Sequence, residues 1–237
     1  MLFFDMFFID IWGLIVLIPA MLLAFYAQAR VGSNMSKYSR VGTKKGMTGA
    51  QIAAAILADN GVRDVEVERL NANAGDHYDP SHRKIRLSAH VYDSSSVTAV
   101  AVAAHEAGHA IQHNESYSPL TMRNSIFPVV RITSAAAIPL IFIGFLLSAG
   151  SEFAPFLIDI GIVLFAITVG FHLITLPVEY NASSRAREAL EHGRYLDHDE
   201  IDSTRKVLNA AALTYVAAAA MAVAQLLRFI LMANRRR

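Results

Sequence analysis

The sequence predicts a mainly α-helical membrane protein that has about four transmembrane helices and a small α+β part in the cytosol. Of its 237 residues, 54% are apolar and only 17% are charged, whereas about 25% of the residues in soluble domains are charged. The apolar residues are concentrated in four blocks. The length of each block is close to that of a helix that crosses a bilayer, which needs about 20 residues. A polar segment with helix and strand patterns separates the first block from the second.

The first block covers residues 7–29 and includes Pro19. Its last residues, Ala27-Gln28-Ala29, resemble a signal-peptidase site. However, the N-terminal residues carry Asp5 and no positive charge, and the apolar stretch is longer than the core of a typical signal peptide. We therefore expect residues 1–29 to form a retained transmembrane helix.

Residues 30–123 form the predicted cytosolic α+β part. A helix is expected over residues 46–60, because Thr48 is a suitable N-cap, alanines fill the body and Asn60-Gly61 is a typical helix end.

Two short strands and a second helix follow in this part. Alternation of apolar and polar residues predicts strands over residues 65–70 and 84–88, with a loop over residues 71–81 between them. Three serines at positions 94–96 supply the N-cap of a helix over residues 97–113.

The next part of the chain is expected to cross the membrane twice and return to the cytosol. Residues 124–178 form a transmembrane hairpin of two apolar blocks, residues 126–148 and 155–178, which a turn at residues 150–152 connects. A charged helix, which begins at Glu179, then occupies the cytosolic residues 179–207.

Lysine and arginine near the helix ends predict the orientation. Five basic residues follow block one within residues 30–45, and three follow block three within residues 185–194, whereas the N-terminus and the hairpin tip have none. Both polar segments should therefore be cytoplasmic. The last block, within residues 208–237, conflicts with this rule because a fourth crossing would place the arginines at 235–237 outside. It is either a transmembrane or a re-entrant helix.

The sequence HEAGH at residues 105–109 lies in the second predicted helix. Residues four apart share one face of a helix, so His105 and His109 can bind the same metal ion. Glu106 projects beside them and can take a proton from metal-bound water, as in zinc metallopeptidases. Gly108 would let a neighbouring helix pack closely. Because the chain has no cysteine, the metal ligands must be imidazole and carboxylate.

A catalytic zinc ion usually has three protein ligands and one open position. His113 is near in sequence, but a straight helix places it about 12 Å along the axis from His105, at ~1.5 Å per residue. Glu179 is the better candidate, because the hairpin begins and ends on the same side of the membrane and so returns to His105 and His109. The alternative is a glutamate that only ends a membrane helix at the interface.

These motifs resemble those of a known family. The sequence HEAGHA at residues 105–110, before a membrane hairpin, and the sequence LPVEYNASSRA at residues 176–186, after it, are similar to the bacterial YugP-type membrane zinc metallopeptidases. Residues 78–80 and 85–88 also fit, so the resemblance covers nearly the whole chain. A more distant similarity is to HtpX and the CAAX-prenyl endopeptidases.

The resemblance implies a zincin-like subdomain of the gluzincin type with one zinc ion per chain. The implied metal ligands are His105, His109 and Glu179, and the implied general base is Glu106. Relatives often have aspartate where this chain has Asn181, and asparagine could accept the same hydrogen bond from a ligand histidine only without charge.

Within block three, His172 is a candidate for binding substrate or an oxyanion, or else a buried histidine with local partners. Tyr180 is a candidate oxyanion donor.

We therefore expect a membrane-embedded zinc endopeptidase that hydrolyses peptide bonds of membrane or membrane-proximal proteins at the cytoplasmic face. Glu106 would assist the attack of zinc-bound water. The strand over residues 84–88 would be the sheet edge that pairs with an extended substrate. The expected partners are a polypeptide substrate and the lipid bilayer, and the net charge of +1 gives no argument for nucleic acid. The alternative is a metal-binding but proteolytically inactive membrane scaffold, which would not need Glu106.

Overall fold

The computed structural model describes residues 11–70, 75–147 and 151–235. Within these ranges the chain forms seven helices and three strands. In chain order they are α1 (Ile11–Tyr38), α2 (Gly49–Asp59), β1 (Glu66–Leu70), β2 (His77–Asp79), β3 (Lys84–Ser88), α3 (Ala89–Tyr92), α4 (Val97–Asn114), α5 (Ser118–Leu147), α6 (Ala154–His192) and α7 (His198–Asn234). The helices α1, α5, α6 and α7 are long and apolar enough to cross a membrane. This confirms the predicted mainly α-helical membrane fold.

All four long helices extend beyond the apolar blocks that predict them. Helix α1 continues to Tyr38, α5 begins at Ser118, α6 continues to His192 and α7 begins at His198. The physical reason is that hydropathy detects only the apolar part of a helix, whereas polar residues can continue it. The start of α7 suits this extension, because Asp199 and Glu200 lie in its first turn, where negative charge is stabilising.

Parts of four predictions lie outside the described residues. They are residues 1–10 of the first helix, residues 71–74 of the predicted loop, residues 148–150 of the hairpin and the arginines at 236 and 237.

The chain divides into two units. The membrane unit comprises Met1–Tyr26, Met122–Leu176 and Tyr215–Arg237. In its described part, α5 and α6 approach closely at two glycines, as small residues allow in membrane helices. A Cβ atom on Gly144 would lie 2.6 Å from Cγ1 of Ile158.

The polar unit comprises Ala27–Thr121 and Pro177–Thr214. Its sheet has the order β1-β3-β2, with β1 parallel and β2 antiparallel to β3. Two predictions are therefore wrong. The predicted loop over residues 71–81 contains strand β2, which is too short to show an alternating pattern. In addition, β3 is the central strand, so residues 84–88 are not the edge that pairs with substrate. This prediction failed because strand order depends on long-range pairing, which local patterns do not reveal.

Helices α2 and α4 begin at the predicted caps. The side chain of Thr48 accepts a hydrogen bond from the backbone of Gln51, and the Gln51 side chain completes the capping box. The hydroxyl of Ser96 accepts from the backbone of Ala99 at the start of α4. Between these helices and the sheet lies an apolar core whose fully buried members include Ile52, Ile56, Ile85, Leu87 and Val100. This core fixes the position of α4 in the polar unit.

Residues 179–207 do not form the single helix that was predicted, because α6 ends at His192, Arg194 has a positive φ and α7 begins at His198. The connection between α6 and α7 is tied to other parts of the polar unit. The Lys44 ammonium lies 2.8 Å from the Asp197 carboxylate, and the Lys44 backbone N–H donates to Glu200 at 2.7 Å. The Tyr195 hydroxyl donates to Asp59 at the end of α2. These bonds hold the polar end of α6 against the same core that holds α4.

Candidate metal centre

Helix α4 places the two histidines of the HEAGH sequence on one face. The rings of His105 and His109 lie edge to face, with their centroids 4.7 Å apart. This is the arrangement that a spacing of four residues produces on a regular helix. Both side chains are largely buried, so solvent competes little with other ligands for their nitrogens.

Glu179 on α6 meets both histidines. Its Oε2 lies 3.3 Å from Nε2 of His105 and 3.6 Å from Nε2 of His109. One ligand atom from each of the three residues lies within 4.8 Å of the other two, which makes the group a candidate site for a metal ion. Only 3% of Glu179 is exposed, and burying a charge at such a position is unfavourable unless a cation or donors compensate it.

A close approach of two backbones brings α4 and α6 together at the site. A Cβ atom on Gly108 would lie 2.4 Å from the carbonyl oxygen of Ala182. The prediction that Gly108 permits close packing is confirmed. Without a side chain at this position, α6 can approach α4 closely enough for Glu179 to reach the two imidazoles.

The outer nitrogens of both histidines also have partners. Nδ1 of His105 lies 3.2 Å from the hydroxyl of Ser183, and Nδ1 of His109 lies 3.0 Å from Oε1 of Gln112. These contacts turn each Nε2 towards the group. Burial by itself lowers the pKa of His109, but the carboxylates of Glu179 and Glu106 outweigh it, so its pKa is above the usual value.

Glu106 lies beside the cluster and is held by strand β2. Its Oε2 accepts a hydrogen bond of 2.9 Å from the backbone N–H of Tyr78, and only 7% of the residue is exposed. The hydroxyl of Tyr78 lies 2.7 Å from Nδ1 of His113. His113 therefore contacts β2 and is not part of the His105, His109 and Glu179 group.

The other candidates from the sequence are not members of this group of three residues. His172 is a half-buried residue of the membrane unit, and Tyr180 is 51% exposed on α6. Asn181 reaches His109 only through another residue, because its Oδ1 accepts hydrogen bonds from Gln112 and Arg185.

Three contacts of the candidate site were not predicted: those of Tyr78, Gln112 and Ser183. Gln112 could have been suspected from its spacing, since it lies three residues after His109 and hence on a neighbouring part of the same helix surface. Tyr78 and Ser183 have no such signal, because their contacts depend on how β2 and α6 pack against α4.

The four membrane-length helices and the buried group of two histidines and a glutamate define a multi-pass membrane protein with a candidate metal centre. The chain belongs to the family described as "Putative neutral zinc metallopeptidase", whose model matches residues 13–234. It is 49% identical over 214 residues to "Putative membrane protease YugP" of Bacillus subtilis (strain 168), an alignment that covers 90% of this chain and 93% of the relative. The predicted resemblance to the YugP-type proteins is thus confirmed. No solved structure matches the chain at a significant level.

Proposed function

We propose that this protein is a zinc-dependent endopeptidase that cleaves membrane or membrane-proximal polypeptides at the cytoplasmic face of the membrane. The observation that carries the proposal is the convergence of His105, His109 and Glu179 within 4.8 Å, with Glu106 next to His105 on the same helix. Membership of a zinc metallopeptidase family supports the choice of metal and of reaction.

The side chains of the group fit zinc in number and in chemistry. Two imidazole nitrogens and one carboxylate oxygen are a ligand set typical of catalytic zinc sites, which keep a further position open. His105, His109 and Glu179 would hold one ion per chain. When bound there, zinc supplies the Lewis acidity that makes water nucleophilic at neutral pH and polarises a peptide carbonyl.

Glu106 is the general base in the proposed reaction. The hydrogen bond from the Tyr78 backbone orients its carboxylate. Glu106 takes a proton from water as the water oxygen bonds to the carbonyl carbon of the substrate. It then gives this proton to the amide nitrogen as the C–N bond breaks, which releases an amine and a carboxylic acid that ionises at neutral pH.

The edge of β2 that lies opposite β3 is the proposed binding edge for the substrate. The sheet order makes β2 an edge strand, and its central residue, Tyr78, donates directly to Glu106. An extended peptide that adds to this edge as a further strand would use backbone hydrogen bonds, which gives low sequence selectivity. Its scissile bond would then lie near Glu106.

The proposed orientation rests on the distribution of basic residues. Arginine and lysine are frequent within residues 30–45 and 185–194 and absent from the hairpin tip at residues 150–152. Such a bias places the basic segments in the cytoplasm. Residues 30–123 and 179–207 would thus be cytosolic, and residues 1–29, 124–178 and 208–237 would form the membrane part.

The substitution Glu106→Gln tests the catalytic proposal. Detergent-purified variant should keep about one zinc ion per chain by elemental analysis, because the three ligands are intact. Its cleavage of casein, used as an unfolded polypeptide, should fall at least about 100-fold, the range for loss of a general base. Cleavage at the wild-type rate would contradict the proposal. A biological effect that persists in the variant would favour the inactive scaffold.

Single cysteines test the orientation, since the natural chain has none. Asp202→Cys on α7 and Glu152→Cys before α6 are both exposed positions. A membrane-impermeant maleimide should label Asp202→Cys in inverted vesicles only and Glu152→Cys in right-side-out vesicles only. The reverse pattern would place the active site outside the cytoplasm.

A further inference from the structure

Gln112 is a completely buried amide of α4 whose donors and acceptor are all used. Its Nε2 donates to the backbone carbonyl of Val178 at 2.8 Å and to Oδ1 of Asn181 at 2.9 Å. Its Oε1 lies 3.0 Å from Nδ1 of His109. A buried amide is unfavourable unless its polar atoms are paired, so these three bonds together define one orientation of the side chain.

The chemistry of the neighbours determines the direction of every bond in this chain of contacts. Arginine has only donors, so the atom of Asn181 that faces Nε of Arg185 at 2.8 Å must be its oxygen. The carbonyl of Val178 and this oxygen are both acceptors, so the NH₂ group of Gln112 must face them. Oε1 of Gln112 then faces His109, and Nδ1 of His109 must carry the proton.

This tautomer is the one that a metal ligand at Nε2 requires. With the proton on Nδ1, the lone pair of His109 is on Nε2, the nitrogen that faces Glu179. His105 lacks this constraint, because its Nδ1 contacts the hydroxyl of Ser183 at 3.2 Å. A hydroxyl can donate or accept, so it does not select a tautomer.

The same amide also connects the two helices that supply the ligands. Val178, whose carbonyl accepts from Gln112, directly precedes Glu179 on α6. The oxygen of Gln112 therefore contacts one proposed ligand, His109. Its nitrogen contacts the helical turn that carries another, Glu179. Movement of α6 along α4 would break both of its donor bonds.

We propose that Gln112 is a positioning residue of the metal site, which sets the tautomer of His109 and holds His109 and Glu179 in register before the metal binds. This inference rests on the metal site of the proposed function. Residues that orient metal ligands commonly change metal affinity about 10- to 100-fold when they are removed. The expected effect of Gln112 is of this size, and that of Ser183 is smaller.

Zinc affinity in detergent, measured by competition with a chelator, tests the proposal. Gln112→Met keeps the length of the side chain and should weaken zinc binding about 10- to 100-fold. Ser183→Ala, which removes the corresponding contact of His105, should have a clearly smaller effect. Asn114→Ala, an exposed amide on the same helix, should leave the affinity unchanged. Circular dichroism checks that each variant is folded.

Substitutions at Asn181 give a second test that leaves Gln112 in place. Asn181→Asp keeps an oxygen that accepts from both Gln112 and Arg185, and should bind zinc nearly as tightly as the wild type. Asn181→Leu removes that acceptor and should bind more weakly. The comparison of Asn181→Asp with Asn181→Leu tests the role of Gln112 even if Gln112→Met does not fold.

Two results would overturn the proposal, and they differ in what else they affect. Wild-type affinity in both Gln112→Met and Asn181→Leu would overturn the role of Gln112 alone. If the wild-type protein bound no zinc, the metal site of the proposed function would fail together with this inference.

Discussion

The contacts inside the polar unit differ in kind from the contacts inside the membrane unit. In the polar unit, directional bonds between elements define the site, such as those from Tyr78 to Glu106 and from Gln112 to Val178. In the membrane unit, the rings of Phe165 and Phe229 pack edge to face with centroids 5.3 Å apart. Thr133 there donates to a carbonyl of its own helix.

The difference indicates how each unit should respond to substitution. A directional bond is lost completely when one atom is removed, whereas apolar side chains can repack when their volume changes little. The polar unit should therefore depend on individual atoms, and the membrane unit on volume and hydropathy. Three substitution experiments, from the largest expected effect to the smallest, test this comparison.

The largest effect is expected at a ligand. Glu179→Ala removes the only carboxylate of the candidate group, and the zinc content of purified protein should fall from about one ion per chain to near zero. His113→Ala is the matched control, because this histidine contacts Tyr78; it should retain zinc. If zinc persisted in Glu179→Ala and disappeared from His113→Ala, the third ligand would be His113 and not Glu179.

A methyl group added at a helix contact should have unequal effects in the two units. In Gly108→Ala the new Cβ meets the backbone carbonyl of Ala182 at 2.4 Å, whereas in Gly144→Ala the nearest atom is Cγ1 of the Ile158 side chain at 2.6 Å. Overpacking typically costs about 1–3 kcal/mol. We expect Gly108→Ala to lower zinc affinity and the thermal unfolding midpoint, and Gly144→Ala to lower the midpoint less. Equal effects would remove the distinction between the units.

The smallest effects concern single hydroxyls. Ser96→Ala removes the N-cap of α4 and should destabilise the protein by about 1 kcal/mol. Thr133→Ala removes a bond within one membrane helix and should change stability less. The midpoint of thermal unfolding in detergent measures both. A larger loss for Thr133→Ala would show that side-chain hydrogen bonds in the membrane unit also stabilise its fold.

The sequence predicts those features that depend on neighbouring residues. Helices α2 and α4 and their caps at Thr48 and Ser96 follow from local rules. The meeting of Glu179 with the two histidines could also be anticipated, since a membrane hairpin returns the chain to the side from which it started. These predictions need only the spacing of residues and the length of a bilayer-crossing helix.

The remaining features depend on packing that the sequence pattern does not show. Strand β2 has three residues, which is too few for an alternating pattern, and the central position of β3 is a property of the whole sheet. The contact of Gln112 with Val178 depends on how α6 lies along α4. Asn181 illustrates the limit, because its link to His109 runs through a residue that the sequence does not single out.

The contact at Gly108 also restricts how this chain can change over evolutionary time. Most packing conflicts can be relieved by a second substitution that makes the opposing side chain smaller. Here the opposing atom is a backbone carbonyl oxygen, which every amino acid at position 182 would retain. No substitution at position 182 can therefore make room for a side chain at position 108, so any replacement of this glycine has to be accommodated by a movement of α4 and α6 apart.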